Sequence, residues 1–509
     1  MNPVSIPRRL GIPALLGALL VLAGCSLAPD YHAPAAPTTA TWKEAAPAAE
    51  AASPLGSWKP AQPSETLDRG AWWMVFGDPA LDALEARAIA ANPNLQAAAA
   101  RLAEARAASR QARASLFPTL DAGFGPTREQ VSAASQFQPD GARIPQQTLW
   151  RAQAGASYEA DLFGRVASNV EASRADAQRG EALYRSMLLA LQADVAQHYF
   201  ALRELDAEGE VYAQAVTLRE HALDLITHRY QAGDITELDL SRARAELSSA
   251  KTEAMTVARQ RAASEHALAV LLGEAPAAFS FAAAPIQPIE LRIPPGLPSS
   301  LLERRPDIAA AERAMAAANA RIGVARAAFF PSLSLSAAGG FEAATLGDLF
   351  RWSSRAFLLG PLAGTALNVP LFDGGRRRAE LDRSHAAYDE AAAQYRQQVL
   401  TAFREVEDGL SDLRVLAKQT REQDDAVAAS QRAADLARRQ YAEGMVAYLE
   451  VLDAQRSVLQ SRRAVVQLRG VQAAATVSLI RALGGGWGEP ASTARIASDT
   501  THAGADTMR

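Results

Sequence analysis

Residues 150–162 read Trp-Arg-Ala-Gln-Ala-Gly-Ala-Ser-Tyr-Glu-Ala-Asp-Leu, and their character alternates without a break. Trp150, Ala152, Ala154, Ala156, Tyr158, Ala160 and Leu162 take one face; Arg151, Gln153, Gly155, Ser157, Glu159 and Asp161 take the other. A period of two is a strand with one apolar and one polar face. Its length matches the ~9–11 residues that a tilted strand needs to cross an outer membrane. Upstream, a helical stretch that starts near Gly77-Asp78-Pro79 breaks at Phe117-Pro118, leaving room for a first strand. Downstream, Ser332-Leu333-Ser334-Leu335-Ser336-Ala337 alternates again, and a less regular return follows through Leu367, Val369 and Leu371. The chain therefore supplies about four strands.

These strands sit in a duplicated sequence. Tyr230-Gln231-Ala232-Gly233 resembles Tyr441-Ala442-Glu443-Gly444 at an offset of 444 − 233 = 211, and Leu272-Gly273 answers Leu483-Gly484 at the same offset. Phe117-Pro118 and Pro93 answer Phe330-Pro331 and Pro306 at 306 − 93 = 213. Each copy reads as helix, two strands and a long helical hairpin. No proline occurs between Leu183 and Leu272, or between Phe372 and Gly488. A helix over 165–231 is on the order of 100 Å long. Val399, Phe403, Val406, Leu410, Leu413 and Ala417 step by four and three, as a coiled-coil seam does. Leu188, Val195, Tyr199 and Leu202 hold matching places in the first copy. Gly233 and Gly444 supply the helix ends. The return helices are half as long, and the stretch 79–115 can stack end to end on one of them to make up the difference. The expected segments are 1–24, 25–76, 77–295, 296–488 and a small polar tail, 489–509.

The first of these segments reads as a secretory signal. Arg8-Arg9 precedes an apolar run from Leu10 to Leu22, too short for a stable membrane helix. It ends in Leu22-Ala23-Gly24-Cys25, which is similar to a bacterial lipoprotein box, in which the cysteine is acylated and the bond before it is cut. That resemblance implies a diacylglyceryl and an N-acyl lipid, palmitate among them, on Cys25. Ser26 stands where lipoproteins kept in the inner membrane carry Asp, so the resemblance also implies the outer membrane. Cys25 is the only cysteine, so no disulfide forms in the oxidising compartment such a signal leads to. The net charge of −4 gives no basis for nucleic-acid binding.

Four strands do not close a barrel, and an open sheet edge is not tolerated in lipid. Several chains must share one barrel, continued by the long helices into the adjoining compartment. The residues that specify this arrangement also resemble a known family. Trp72-Trp73, Phe76-Gly77-Asp78-Pro79-Ala80-Leu81, Gly296 to Ile308 (Gly-Leu-Pro-Ser-Ser-Leu-Leu-Glu-Arg-Arg-Pro-Asp-Ile), Tyr448 to Arg456 (Tyr-Leu-Glu-Val-Leu-Asp-Ala-Gln-Arg) and Ala482 to Trp487 are similar to signatures of the outer-membrane factors of tripartite efflux pumps, the TolC-like channels. The resemblance runs from the lipoprotein box to Trp487, and is to the lipidated branch that serves resistance–nodulation–division transporters. It implies a mainly α fold with a β-barrel portion, in which a homotrimer has four strands per chain in a shared twelve-stranded barrel and coiled-coil helices in a periplasmic tunnel. It also implies a periplasmic adaptor (membrane fusion protein) and an inner-membrane transporter as partners, small-molecule export, no cofactor and no enzymatic step.

In that family the tunnel closes at the periplasmic tip, and the matching positions are Tyr441, Leu449, Glu450, Asp453 and Arg456. Carboxylates repeated around a narrow bore repel one another and attract cations. The alternative for Glu450 and Asp453 is an ordinary place in a helix's first turns, favoured by its dipole. Asp239 matches Glu450 in the first copy and stands three after Thr236, as in a capping box, whereas Ala447 has no side chain to cap with. Basic residues that lock some relatives are replaced by Ala442 and Val446. His221 and His228, seven apart on one helix, read as polar-face residues, and no nucleophile elbow appears. Trp72 and Trp73 read as packing anchors; Trp150 and Trp352 suit packing or an aromatic girdle. Two other readings are a lipidated coiled-coil adaptor, which would lack paired strands and the duplication, and a lipoprotein enzyme, which would need a convergent polar site.

Overall fold

The computed structural model describes residues 27–32, 41–44, 71–130, 132, 137, 139, 144–286, 304–359 and 367–485. The signal segment, Cys25, Ser26, residues 296–303, Trp487 and the tail lie outside the described residues. The helices are α1 (Pro79–Ala91), α2 (Pro93–Ala114), α3 (Arg165–Gln231), α4 (Glu237–Leu271), α5 (Pro306–Ala327), α6 (Arg376–Ala442) and α7 (Tyr448–Ala482). The strands are β1 (Thr119–Glu129), β2 (Gln147–Ala160), β3 (Ser332–Ala343), β4 (Arg355–Leu359) and β5 (Leu367–Asn368). Both α3 and α6 have 67 residues, and both α4 and α7 have 35. Among the described residues no helix is long and apolar enough to cross a membrane.

The chain forms two compact units, the first from 1–35, 100–181 and 310–397, the second from 36–99, 182–309 and 398–509. Unit one holds the sheet, an antiparallel meander β1-β2-β3-β4 with β5 also paired to β3. Its register puts Phe124 opposite Ala152 and Ala152 opposite Phe341, an apolar row across three strands. On the other face Arg151 bridges Glu342 at 2.8 Å and Glu129 at 3.4 Å. The expected return through Leu367, Val369 and Leu371 is strand only at Leu367–Asn368, and the longer piece, β4, lies earlier, at Arg355–Leu359. Partners advance from Leu359 to Asn368 while β3 moves back only from Ala337 to Ser332, so the return carries four residues more than β3 opposite it.

A short N-terminal strap is laid on α5 in the same unit. Asn319 Nδ2 donates to the Pro29 carbonyl at 2.8 Å, Arg326 to the Leu27 carbonyl at 3.5 Å, and the Tyr31 hydroxyl to Glu312 Oε1 at 2.5 Å. Gly323 leaves room for it, because a Cβ there would come within 2.7 Å of Ala28 Cβ. The strap thus reaches Arg326 only six residues before β3 begins at Ser332.

Unit two is a helical core of Trp72, Trp73, Leu81, Leu84, Leu191, Val195, Tyr199, Leu202, Leu268, Leu272, Val477 and Ile480. The seam of α6 differs from its expected form. Val399 and Val406 are buried as expected, about 1.5–3 kcal/mol each by their area. Between and beyond them the deep positions are Ala402, Gly409 and Leu416, not Phe403 and Leu410. Gly409 lets Leu479 of α7 approach, since a Cβ there would stand 3.2 Å from it. Phe403 instead turns to Trp42, ring centroids 5.7 Å apart.

End-to-end stacking occurs at two joints. Asn92, at the break between α1 and α2, donates Nδ2 to the Leu271 carbonyl at the end of α4, 2.8 Å away, while its Oδ1 accepts from Leu95 N–H. Arg305, just before α5, donates to the Ala482 carbonyl at the end of α7, 3.0 Å away, and to Glu405 and Asp307 at 2.6 Å each. Arg305 holds the Asp307 carboxyl below its ordinary range, against the opposing effect of burial. Each joint satisfies a carbonyl that a helix end leaves open.

Glu85 of α1 lies wholly buried in unit two, and neither carboxylate oxygen has a hydrogen-bond partner. Burial, and then Asp82, push its pKa up to about 9 from 4.5. Folding therefore takes up a proton at neutral pH, and stability falls as pH rises from about 4.5 through about 9. Glu85→Gln should flatten that slope, raising the thermal midpoint most near pH 9 and least near pH 5, as followed by circular dichroism of the solubilised protein.

Candidate functional site

Both long hairpins turn through the same motif. Gly233 and Gly444 take left-handed backbone, φ 82° and 75°. Asp234 N–H returns to the Arg229 carbonyl at 2.9 Å and Met445 N–H to the Gln440 carbonyl at 2.8 Å, a Schellman closure each time. Beside the turns Ile226, Leu240, Ala243, Tyr448, Val451 and Leu452 share a small core, so the start of α7 packs on the α3–α4 hairpin.

A polar layer covers this core. Arg229 Nη1 donates to the Tyr441 hydroxyl at 2.8 Å and lies over that ring, which leans on Tyr448 at 5.6 Å between centroids. Burial first, and then nearby Tyr441 and Glu246, push the Tyr448 hydroxyl up to about 12, so it stays protonated. Glu246 of α4 receives two arginines: Arg456 Nε of α7 at 3.0 Å and Arg219 Nη2 of α3 at 3.2 Å. Arg456 also pairs with Asp453 at 2.9 Å. Higher up, Arg463 of α7 reaches Glu208 of α3 at 2.6 Å. One carboxylate thus ties three helices. Glu246 and Arg219 are nearly buried, at 12% and 10% side-chain exposure, so the pair is weakly screened by salt.

The positions singled out in the sequence divide between two sides. Tyr441, Asp453 and Arg456 belong to this layer. Leu449 and Glu450 are exposed on the side of α7 turned away from the shared core, and among the described residues no ion pair engages Glu450. Asp239 accepts a bond from the Thr236 hydroxyl at 3.1 Å and lies 3.8 Å from Arg242. The capping box does not form: Thr236 makes no side-chain cap, and Asp239 N–H goes to the Thr236 carbonyl at 3.2 Å. The Thr236 hydroxyl instead donates to the Asp239 carboxylate.

Sequence reasoning missed Arg219, Glu246 and Arg229. A signal exists for Arg219, which stands seven after Tyr212 and seven before Ile226, both buried seam positions. A charge in that place needs a partner. Asp224, passed over between His221 and His228, lies 3.6 Å from His228, both exposed. Among the described residues no three His, Cys, Asp or Glu group in a metal-holding cluster.

Comparison with known proteins gives the family. The model of the outer membrane efflux protein family matches residues 84–274 and again 297–485. The chain is 37% identical over 470 residues to the toluene efflux pump outer membrane protein TtgF of Pseudomonas putida, covering 92% of this chain and 95% of that one. A membrane protein structure from Pseudomonas aeruginosa superposes with TM-score 0.80 at 34% identity, over 91% of this chain and 98% of that one. The open state of the MtrE outer membrane channel from Neisseria gonorrhoeae gives 0.78 at 29%, over 91% and 98%. The fold, mostly helix with a small sheet, is the TolC-like one expected, and the match decides against the adaptor alternative. This chain belongs to the outer membrane efflux protein family.

Proposed function

We propose that the protein is the passive exit duct of a tripartite pump: a homotrimer whose shared barrel crosses the outer membrane and whose helices form a tunnel in the periplasm. The observation that carries this reading is the sheet. Its apolar face runs from Ala160 opposite Leu333 to Trp150 opposite Ala343. Those ten steps, at ~3.3 Å each and tilted by ~40°, span the ~25 Å apolar band of outer-membrane barrels. Among the described residues neither β1 nor the β4–β5 line has a second strand neighbour. Two chains would give eight strands and a barrel filled by its own side chains; three give twelve and leave a lumen.

Lipidation at Cys25 is supported by the lipoprotein-box resemblance and by the strap that follows it, whose Leu27 carbonyl accepts from Arg326, six residues before β3 begins. The duct performs no reaction and carries no cofactor beyond that lipid. A periplasmic adaptor and an inner-membrane resistance–nodulation–division transporter energise it, and the cargo is small molecules such as solvents and drugs, as the relatives' names support.

The helical tip is the gate. Glu246 with Arg456 and Arg219 is the latch that keeps α7 against α3–α4, while Glu450, on the side of α7 turned away from the shared core, and Asp453, exposed beside Arg456, supply carboxylates to the bore. Three copies of each give the resting channel its cation preference.

Native mass spectrometry in mild detergent should give three chains, each starting at an acylated Cys25; a stable monomer, or an unmodified N-terminus elsewhere, would contradict the assembly or the anchor respectively. Glu246→Gln should raise single-channel conductance and speed amide exchange over 448–459, while Glu237→Gln, at the exposed start of α4, should do neither. The Glu450→Gln/Asp453→Asn pair should weaken cation preference with assembly intact. Parent-like recordings from both variants would remove the gate from this tip.

A further inference from the structure

The outer side of the sheet carries two arginines that the duct reading does not use. Glu129 meets Arg151 on the polar face, so its neighbour Arg128 lies on the apolar one, in line with Phe124 along β1 and opposite Thr148. Arg355 opens β4 directly opposite Phe341, and Phe341 shares the apolar row with Ala152 and Phe124. Both side chains are exposed, and among the described residues neither meets a carboxylate. Arg355 donates only its Nε, to the Trp352 carbonyl at 2.8 Å, while its guanidinium lies over the Trp352 ring. Its two terminal nitrogens stay available.

Both residues sit at the end of the sheet remote from the helices. β1 leaves α2 at Thr119 and ends at Glu129; β4 starts from the loop that follows β3. An aromatic band borders them: Phe124 with Trp150 at 6.1 Å, Phe341 with Phe350 at 5.6 Å, and Trp352, 76% exposed. Aromatic residues mark the depth at which hydrocarbon gives way to headgroups. A cation on the lipid-facing side is tolerated there and costly at mid-membrane. A guanidinium stacked on a ring and lacking a carboxylate is built to take an oxyanion in two hydrogen bonds.

We propose that Arg128 and Arg355 form a rim that binds the phosphate groups of the phosphorylated glycolipid of the outer leaflet. The proposal rests on the reading that the sheet lies in the outer membrane with its helices on the inner side. Charge complementarity selects this occupant: Arg128 lies beyond the outer end of the apolar band and Arg355 just inside it, its guanidinium carried to the Trp352 ring, both on the face turned to lipid, and three chains repeat them around the barrel. The bound glycolipid seals the barrel's outer edge, and its removal loosens the assembly.

The test uses the full chain, purified in mild detergent, with diphosphorylated lipid A, the same lipid A after phosphatase treatment, and phosphatidylglycerol as probes. Retained lipid is read by native mass spectrometry and the thermal midpoint by light scattering. The parent should retain diphosphorylated lipid A and gain in midpoint. Arg128→Gln/Arg355→Gln should bind it at least about tenfold more weakly, in line with one lost charge-assisted bond. Arg101→Gln on α2 should match the parent. Should the double variant fail to assemble, Arg128→Lys/Arg355→Lys keeps the charge and loses the paired geometry, and intermediate retention is expected. Equal retention by parent and variants, or equal binding of dephosphorylated lipid A or phosphatidylglycerol, overturns the proposal. Fractionation of the parent separates the two readings: absence from the outer membrane defeats the duct, whereas correct location with indifferent lipid A binding defeats only the rim.

Discussion

Along the two edges of the sheet, backbone amides and carbonyls have no strand partner among the described residues, and hydrocarbon offers none. A buried peptide group left unpaired costs several kcal/mol, and β1 alone has 11 residues. No side-chain arrangement offsets a whole strand of such groups. The edges must meet other edges, and that requirement reaches through the rest of the molecule. The strands can be short and few because neighbours complete them, and the helices that leave them are brought into a ring by the same closure. The apolar side needs no core of its own, so Leu120 and Phe124 stand 81% and 64% exposed in the single chain.

Where the sheet relies on backbone, the helical tip relies on charge. Glu246 receives arginines from two different helices, and the shared apolar core beneath it is only six residues. The nearly buried pair, Glu246 with Arg219, ties α4 to α3, and breaking it leaves a cation stranded. Arg456, half exposed, brings α7 to the same carboxylate. The aromatic contact of Tyr441 with Tyr448 and Arg229 adds a second such tie at the turn.

Much of this was open to reading from the sequence because it rests on periodicity and on residues with special backbone preferences. The two-residue alternation at 150–160, the turns at Gly233 and Gly444, and the proline-free helices follow directly from local rules. What escaped rests on pairings between distant segments. The spacing of α6 assigns its seam to bulky residues, yet Ala402 and Gly409 are deeper than Phe403 and Leu410, because Leu479 fills the space beside Gly409 and the sequence of α6 alone does not show it. Glu246 looks like any helix-surface acid until α3 and α7 are beside it. Thr236 and Asp239 have the spacing of a cap, but the hydroxyl donates to the Asp239 carboxylate and the Asp239 N–H goes to the Thr236 carbonyl. Arg305 and Asn92, 213 positions apart, do one job with different chemistry, which no pattern search for identical residues finds.

The equal lengths of the paired helices, 67 and 67, then 35 and 35, bear on how such a chain can change over evolutionary time. A seven-residue insertion preserves a coiled-coil register but lengthens a helix by ~10 Å. Placed in α3 and α4 only, it would carry Arg219 and Glu246 two helical turns away from Arg456. Viable length variants must therefore come as matched insertions in all four helices, and a lineage with a longer or shorter duct is expected to show them in multiples of seven, in both halves of the gene.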